Sequence, residues 1–277
     1  ATLQRGDGVG LEQVFDVVVF ERDILQMIRE RYLCDIRAVQ VALATDFNKL
    51  HSRAGDYIDS EVAGMLEDAD APSHAVQAYK NHAAGRKGIV FTPTVKSAEA
   101  FAAAFSAAGI PAGVVHGGQG EDERRGQLAR FHRGELRLIC NCAVLTEGFD
   151  EPSVDLVVIA RPTKSRPLYI QMIGRGTRLY PGKEDMLVLD LVGSTTSHSL
   201  VTAATLFGVE PMELQEKGAA QATAEKQEAE EAVKEAGRLV ARTVDLFNQR
   251  PLHWSVSSDS RLFTLNIGYG GVLVVSE

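Results

Sequence analysis

Cysteine is scarce in this 277-residue chain: Cys34, Cys140 and Cys142 are too few for a disulfide scaffold, and no Cys/His cluster stands near them to complete a zinc site. Cys140 and Cys142 therefore read as reduced strand residues, and no metal site is expected. No apolar run approaches the ~20 residues that span a bilayer, and the first residues lack the charged and apolar blocks of a secretory signal. A membrane is thus not an expected partner, and a cytoplasmic location follows by default. Bulk positive charge is lacking as well, since the net charge of -8 argues against a protein that holds nucleic acid by overall attraction. One stretch reverses that balance: residues 156–182 hold no Asp or Glu, yet include Arg161, Lys164, Arg166, Arg175 and Arg178. A local basic patch is what contacts phosphates. Finally, no Gly-x-Gly-x-x-Gly follows any predicted strand, which disfavours a dinucleotide or nucleotide-sugar enzyme on a doubly wound sheet.

What is present is patterned for an α/β sheet. With 45% hydrophobic residues the chain can bury a sizeable core, as one large domain or two modest ones. Between residues 88 and 191 short apolar runs alternate with helical patterns, the order that marks a parallel sheet. Strands are predicted over 89–91, 112–115, 136–140, 154–159 and 186–189. Thr94 or Ser97 can cap the helix after the first strand, whose Ala98, Phe101, Ala102 and Phe105 repeat at helical spacing before Gly109 ends it. A second helix over 122–132 buries Leu128 and Phe131 and closes at Gly134, and Pro167 opens a short third one. The flanks are less regular. An amphipathic segment covers 22–32, a strand-like run 38–43 and a polar helical stretch extends to Ala84; an Ala/Glu/Lys-rich helical arm covers 209–250, and 261–275 reads as a β-hairpin around residues 268–271.

Three features are expected at the carboxyl ends of predicted strands, where open parallel sheets bind ligands. Thr92-Pro93-Thr94 offers hydroxyls and N–H groups to a phosphate of a nucleic-acid strand, or forms a plain helix-capping turn. In Thr146-Glu147-Gly148-Phe149-Asp150, Gly148 permits close backbone approach and Asp150 offers a carboxylate to a ribose hydroxyl, unless the segment is only a connecting loop closed by Pro152. In Gln171-Met172-Ile173-Gly174-Arg175-Gly176-Thr177-Arg178 two guanidiniums can be aimed at one polyanion if the chain turns near the glycines, and arginine's planar donor fork matches phosphate oxygens.

In order and spacing these residues resemble the second RecA-like domain of superfamily 2 helicases, the group that contains the DEAD-box and DEAH-box proteins and the helicase subunits of restriction enzymes. Residues 88–93 resemble motif IV, Thr146 to Asp150 motif V, and Gln171 to Arg178 motif VI in its Gln-x-x-Gly-Arg-x-x-Arg form, while His116, Gly117 and Gly118 stand where the family's strand end touches the nucleic-acid backbone. The resemblance implies Arg178 as an arginine finger on the γ-phosphate of ATP with Arg175 beside it, Gln171 and Gly174 in the same network, Gly148 and Asp150 facing nucleotide, and Thr92, Pro93, His116, Gly117, Gly118 and Thr146 facing the strand. The Gly-x-x-x-x-Gly-Lys-Ser/Thr phosphate loop and the Asp-Glu-x-Asp/His box that holds magnesium are both missing from this sequence. ATP and Mg2+ are therefore expected to be held mainly by a first RecA-like domain preceding Ala1 in the parent protein, with Ala1-Thr2 as the tail of motif III. DNA is the favoured track over RNA, because this motif VI and the aliphatic-rich motif V resemble those of DNA-repair and restriction helicases.

The expected organisation is a linker and mixed segment over 1–84, a RecA-like parallel sheet flanked by helices over 85–208, a helical arm over 209–250, and a β-rich start of a further element over 251–277. A helicase or translocase motor domain is the leading expectation. The alternative is a non-catalytic nucleic-acid-binding module, or regulator, that uses the same face.

Overall fold

The computed structural model describes the backbone of residues 22–145, 149–193, 200–245, 254–256, 262–266 and 272–276, and side chains through residue 232. A short helix α1 (Ile24–Arg29), capped by Asp23, leads into strand β1 (Asp35–Leu43). A small hairpin of β2 (Ser52–Arg53) and β3 (Asp56–Tyr57) precedes helices α2 (Asp59–Asp68) and α3 (Ala71–His82). The alternating part follows: β4 (Gly88–Phe91), α4 (Val95–Ala107), β5 (Ala112–His116), α5 (Glu121–His132), β6 (Leu138–Cys142), β7 (Leu156–Ile159), α6 (Arg166–Gly174) and β8 (Asp185–Gly193). Helices α7 (Ala203–Phe207), α8 (Pro211–Glu216) and α9 (Ala219–Asp245) come next.

Six strands form one parallel sheet in the order β1-β8-β7-β4-β6-β5. The segment read as a strand-like run in the amino-terminal flank is therefore the sheet's edge, paired with β8 along nine residues from Asp35↔Asp185 to Leu43↔Gly193. Periodicity identified the strand; only the fold could say which neighbour it takes. Its outer side is covered by α8, whose Gln215 carbonyl accepts two bonds from the Arg37 guanidinium at 2.9 and 2.5 Å.

Strand alternation divides the core into two apolar layers. Leu156 and Val158 of β7 face α2, α3 and α4, which contribute Leu66, Tyr79, Phe101 and Phe105. Val157 and Ile159 face the other way, against Phe131 of α5 and Tyr169, Met172 and Ile173 of α6. The helix ends follow local chemistry. Thr94 accepts the Ser97 N–H at 3.1 Å to cap α4, and Gly109 and Gly134 leave α4 and α5 with φ of +81° and +79°.

The chain divides into two units, residues 1–224 and 225–277. Helix α9 starts in the first and continues into the second, which also contains strands β9 (Trp254–Val256), β10 (Leu262–Asn266) and β11 (Val272–Ser276) in an antiparallel sheet. The expected C-terminal hairpin is β10 with β11; its turn lies outside the described residues. Among the described residues no helix is long and apolar enough to cross a membrane.

Candidate functional site

The parallel strands give the sheet a carboxyl edge and an amino edge, and the candidate residues occupy both. At the carboxyl edge, Thr92 follows β4 and is 1% exposed. Its hydroxyl points inward, toward the carbonyls of Asn141 at 3.0 Å and Thr94 at 3.1 Å, while Asn141, wholly buried, donates to the Val90 carbonyl and accepts from the Leu145 N–H. Pro93 is buried, and its carbonyl accepts the Cys142 thiol at 3.5 Å. The Thr92 side chain thus ties β4 to β6, and the capping-turn reading of Thr92-Pro93-Thr94 accounts for both hydroxyls.

The loop after β5 is more open. Gly117 and Gly118 are exposed, and His116 Nδ1 accepts the Gly118 N–H at 3.1 Å. An accepting Nδ1 puts the neutral ring's proton on Nε2, which leaves that atom a donor. Gln119 braces the loop by accepting the His116 N–H at 3.0 Å and donating to the Val114 carbonyl at 3.2 Å.

The basic stretch 156–182 is less bare than its sequence suggests, because the fold brings acids from elsewhere. Arg161 pairs with Asp59 at 3.1 Å, and Asp56 accepts from the Thr163 hydroxyl and the Lys164 N–H. Lys164 Nζ lies over the Tyr57 ring, 4.6 Å from its centroid. Burial pushes the Asp59 carboxyl up, against the opposing pull of Arg161.

The motif around Arg175 is not at the carboxyl edge. Helix α6 carries the chain from the end of β7 back to the start of β8, so its last turn must lie at the amino edge. Gly176 fixes the point: a Cβ there would meet Met186 Sδ at 2.2 Å and Val157 Cγ2 at 3.1 Å, both from second residues of their strands. The expectation that all three features share the carboxyl edge is thereby corrected. A connection between parallel strands has to cross the sheet, and a residue's edge depends on how far along that crossing it stands.

At the amino edge the second and third motifs meet. The Arg175 guanidinium donates to the Phe149 carbonyl at 2.9 Å, and Arg178 Nη1 forms an ion pair with Asp150 Oδ1. Helix α6 ends at Gly174, where a Cβ would meet nothing within 4 Å, and Gln171 lies exposed one turn earlier. Thr146 and Gly148 lie outside the described residues. The half-exposed Arg178 guanidinium can exchange its carboxylate partner for phosphate oxygens, while Arg175 sits deeper with its Nε buried. Among the described residues no group of three His, Cys, Asp or Glu could hold a metal ion.

Two charges drawn away from solvent, one buried and one part-buried, escaped sequence reasoning. Asp190, on β8 and 2% exposed, accepts the Tyr169 hydroxyl on both oxygens at 2.8 Å and the Ala203 N–H at 2.9 Å; burial pushes its pKa up to about 6. An acid inside the apolar run of residues 186–192 was the available signal. Lys183, whose pKa is lowered by burial, gives its ammonium to backbone carbonyls, which leave no trace in a sequence.

Residues 71–180 match the family described as the helicase conserved C-terminal domain. That segment is a helicase C-terminal domain. Beyond it, the chain is 31% identical over 212 residues to a Saccharomyces cerevisiae protein named as the ATP-dependent helicase IRC3, covering 76% of this chain and 31% of the relative. It is 34% identical over 217 residues to a Schizosaccharomyces pombe protein named as the mitochondrial ATP-dependent helicase irc3, covering 78% and 36%. The chain thus spans about a third of the length of these relatives. A fragment of an HsdR subunit of a type I restriction enzyme from Vibrio vulnificus YJ016 shares the fold, with a TM-score of 0.56 and 24% identity over 71% of this chain and 39% of that one. The six-stranded parallel sheet flanked by helices is RecA-like in fold, and its strands β4 to β7 fall within the matched helicase C-terminal segment.

Proposed function

We propose that this chain supplies the second motor domain of an ATP-dependent nucleic-acid helicase or translocase. The observation that carries the reading is the meeting of Arg175 and Arg178 with Phe149 and Asp150 at one edge of the sheet, with the His116 loop at the other. ATP with Mg2+ is held mainly by the first RecA-like domain of the same protein, and the bound metal neutralises charge that develops on the transferred phosphoryl group. Arg178 leaves Asp150 for the γ-phosphate as the cleft closes, and Arg175 stays on the Phe149 carbonyl to hold the loop in place. Asp150, freed by that exchange, is available to a ribose hydroxyl. Such a finger changes phosphoryl-transfer rates by roughly 10³ to 10⁵.

The opposite edge follows the strand. Exposed Gly117 and Gly118 allow a sugar-phosphate backbone close approach, and His116 Nε2 donates to it, contacts that ignore base sequence. DNA is the track favoured over RNA. The names of the two yeast relatives support the helicase reading.

The test is Arg178→Ala in the full-length protein. Nucleic-acid-stimulated ATPase should fall about 10³-fold or more while strand binding changes little. Unchanged ATPase would overturn the assignment of Arg178 as the finger, and strand binding indifferent to ATP would favour a binding module without catalysis.

A further inference from the structure

The arginine turn has a fastening of its own. Lys183 Nζ donates to the carbonyls of Val154 at 2.6 Å, Arg178 at 2.8 Å and Pro152 at 3.4 Å, and to that of Gly176. Two of those carbonyls belong to the turn that carries Arg178, and two to the segment just after Asp150. The ammonium has three protons for four acceptors, so the bonds are shared, and no other side chain combines three donors with so small a head. It also stands beyond the carboxyl end of α6, where a cation opposes the negative pole of the helix. The Cys34 thiol reaches the same Gly176 carbonyl at 3.6 Å, and the Cys34 N–H bonds the Thr177 carbonyl at 2.9 Å, so the turn is gripped from two sides.

We propose that Lys183 is a positioning residue for ATP hydrolysis: by binding the carbonyls of Gly176 and Arg178 together with those of Pro152 and Val154, it sets where Arg178 stands relative to Asp150 and to an arriving phosphate. The inference rests on the reading that Arg178 acts on a nucleotide. Hydrolysis is sensitive to such placement because a displacement of about 1 Å in a positioned group can lower a rate about 100-fold. Strand contacts at the other edge do not pass through Lys183, so binding of nucleic acid should be spared.

The experiment compares Lys183→Met, Lys183→Gln and Lys183→Arg with Arg178→Ala in the full-length protein. The readouts are nucleic-acid-stimulated ATPase, as kcat and KM for ATP, the Kd for a fluorescent oligothymidylate, and Tm. Met keeps the stem and removes every donor, so kcat should fall about 10- to 100-fold with KM and Kd within about threefold. Gln keeps one pair of donors and should fall between, and Arg keeps charge and donors and should restore kcat to within about threefold of the parent. A kcat in the Met variant within about twofold of the parent overturns the assignment, as does a series in which kcat follows Tm instead of donor number. Should the Met variant not fold, equal kcat in the Gln and Arg variants overturns it equally. Undiminished ATPase in Arg178→Ala defeats the proposed function itself, whereas an inactive Arg178→Ala beside a fully active Lys183→Met defeats only the role of Lys183.

Discussion

The two edges of the sheet are built on opposite plans. At the amino edge, the side chains of Met186 and Val157 press so closely on Gly176 that it has no room for a Cβ, and an ammonium and a guanidinium hold the turns by their carbonyls. At the carboxyl edge the loop after β5 is exposed, and the side chains of His116 and Gln119 bond its backbone beside one backbone bond from the Gln119 N–H to the His116 carbonyl. Each edge also contains a charge of opposite sign drawn away from solvent, part-buried Lys183 at one and buried Asp190 toward the other. The difference suits two jobs. A group that must meet a phosphoryl group in one geometry belongs on a fixed turn, and a surface that follows any strand sequence benefits from small residues and open backbone.

The largest effect expected from breaking this contrast is that of Arg178→Ala, about 10³-fold or more in stimulated ATPase with strand affinity little changed. Comparable losses of both activities would mean that the edges are not separate. Next comes Gly176→Ala, which forces Met186 and Val157 aside and should destabilise the protein by about 1–3 kcal/mol in urea unfolding, as overpacking does. Gly174→Ala, with open space around it, is the matched control and should be nearly neutral; equal losses in the two would remove the close-packing argument.

The buried acid supplies a pH prediction. Folding raises the Asp190 carboxyl to about 6, from its ordinary value of 3.8, so the native state holds this proton where the unfolded chain has released it. Stability should therefore fall as pH rises from about 4 to about 6, by on the order of 1–3 kcal/mol, and level off above, with Asp190→Asn flattening that segment. A parent and variant with parallel stability curves would show that the bonds from Tyr169 and Ala203 offset the cost of burial. The smallest effect is at the carboxyl edge. Asp59→Asn releases Arg161 from its 3.1 Å ion pair and should raise strand affinity about 2- to 3-fold, with a salt dependence steeper by about one phosphate contact. Unchanged affinity would place Arg161 away from the strand's path.

Much of this organisation is legible in residue order. Strands β4 to β8 were each marked by a short apolar run, and Thr94 and Gly109 by the chemistry of helix ends, whereas Asp150 and Arg178 were each marked as site residues but not as a pair. The edge at which that pairing occurs was not legible, because a motif has no direction until its helix is laid across a sheet. Nor was the inward turn of the Thr92 hydroxyl: its acceptor is the Asn141 carbonyl, on a strand 49 residues away in sequence. The acids beside Arg161 and Lys164 were hidden for the same reason, since they come from residues 56 and 59.

By itself, then, the sequence determined which segments become strands and helices and where the helices end, through side-chain periodicity and the backbone preferences of threonine, glycine and proline, which act over a few residues. The tertiary structure alone decided that β1 closes the sheet beside β8, that the arginines and the His116 loop stand at opposite edges, and that Lys183 binds both turns of the arginine site. Those outcomes depend on carbonyls and edges brought together across long separations, and a backbone carbonyl is the same in every residue until the fold gives it a neighbour.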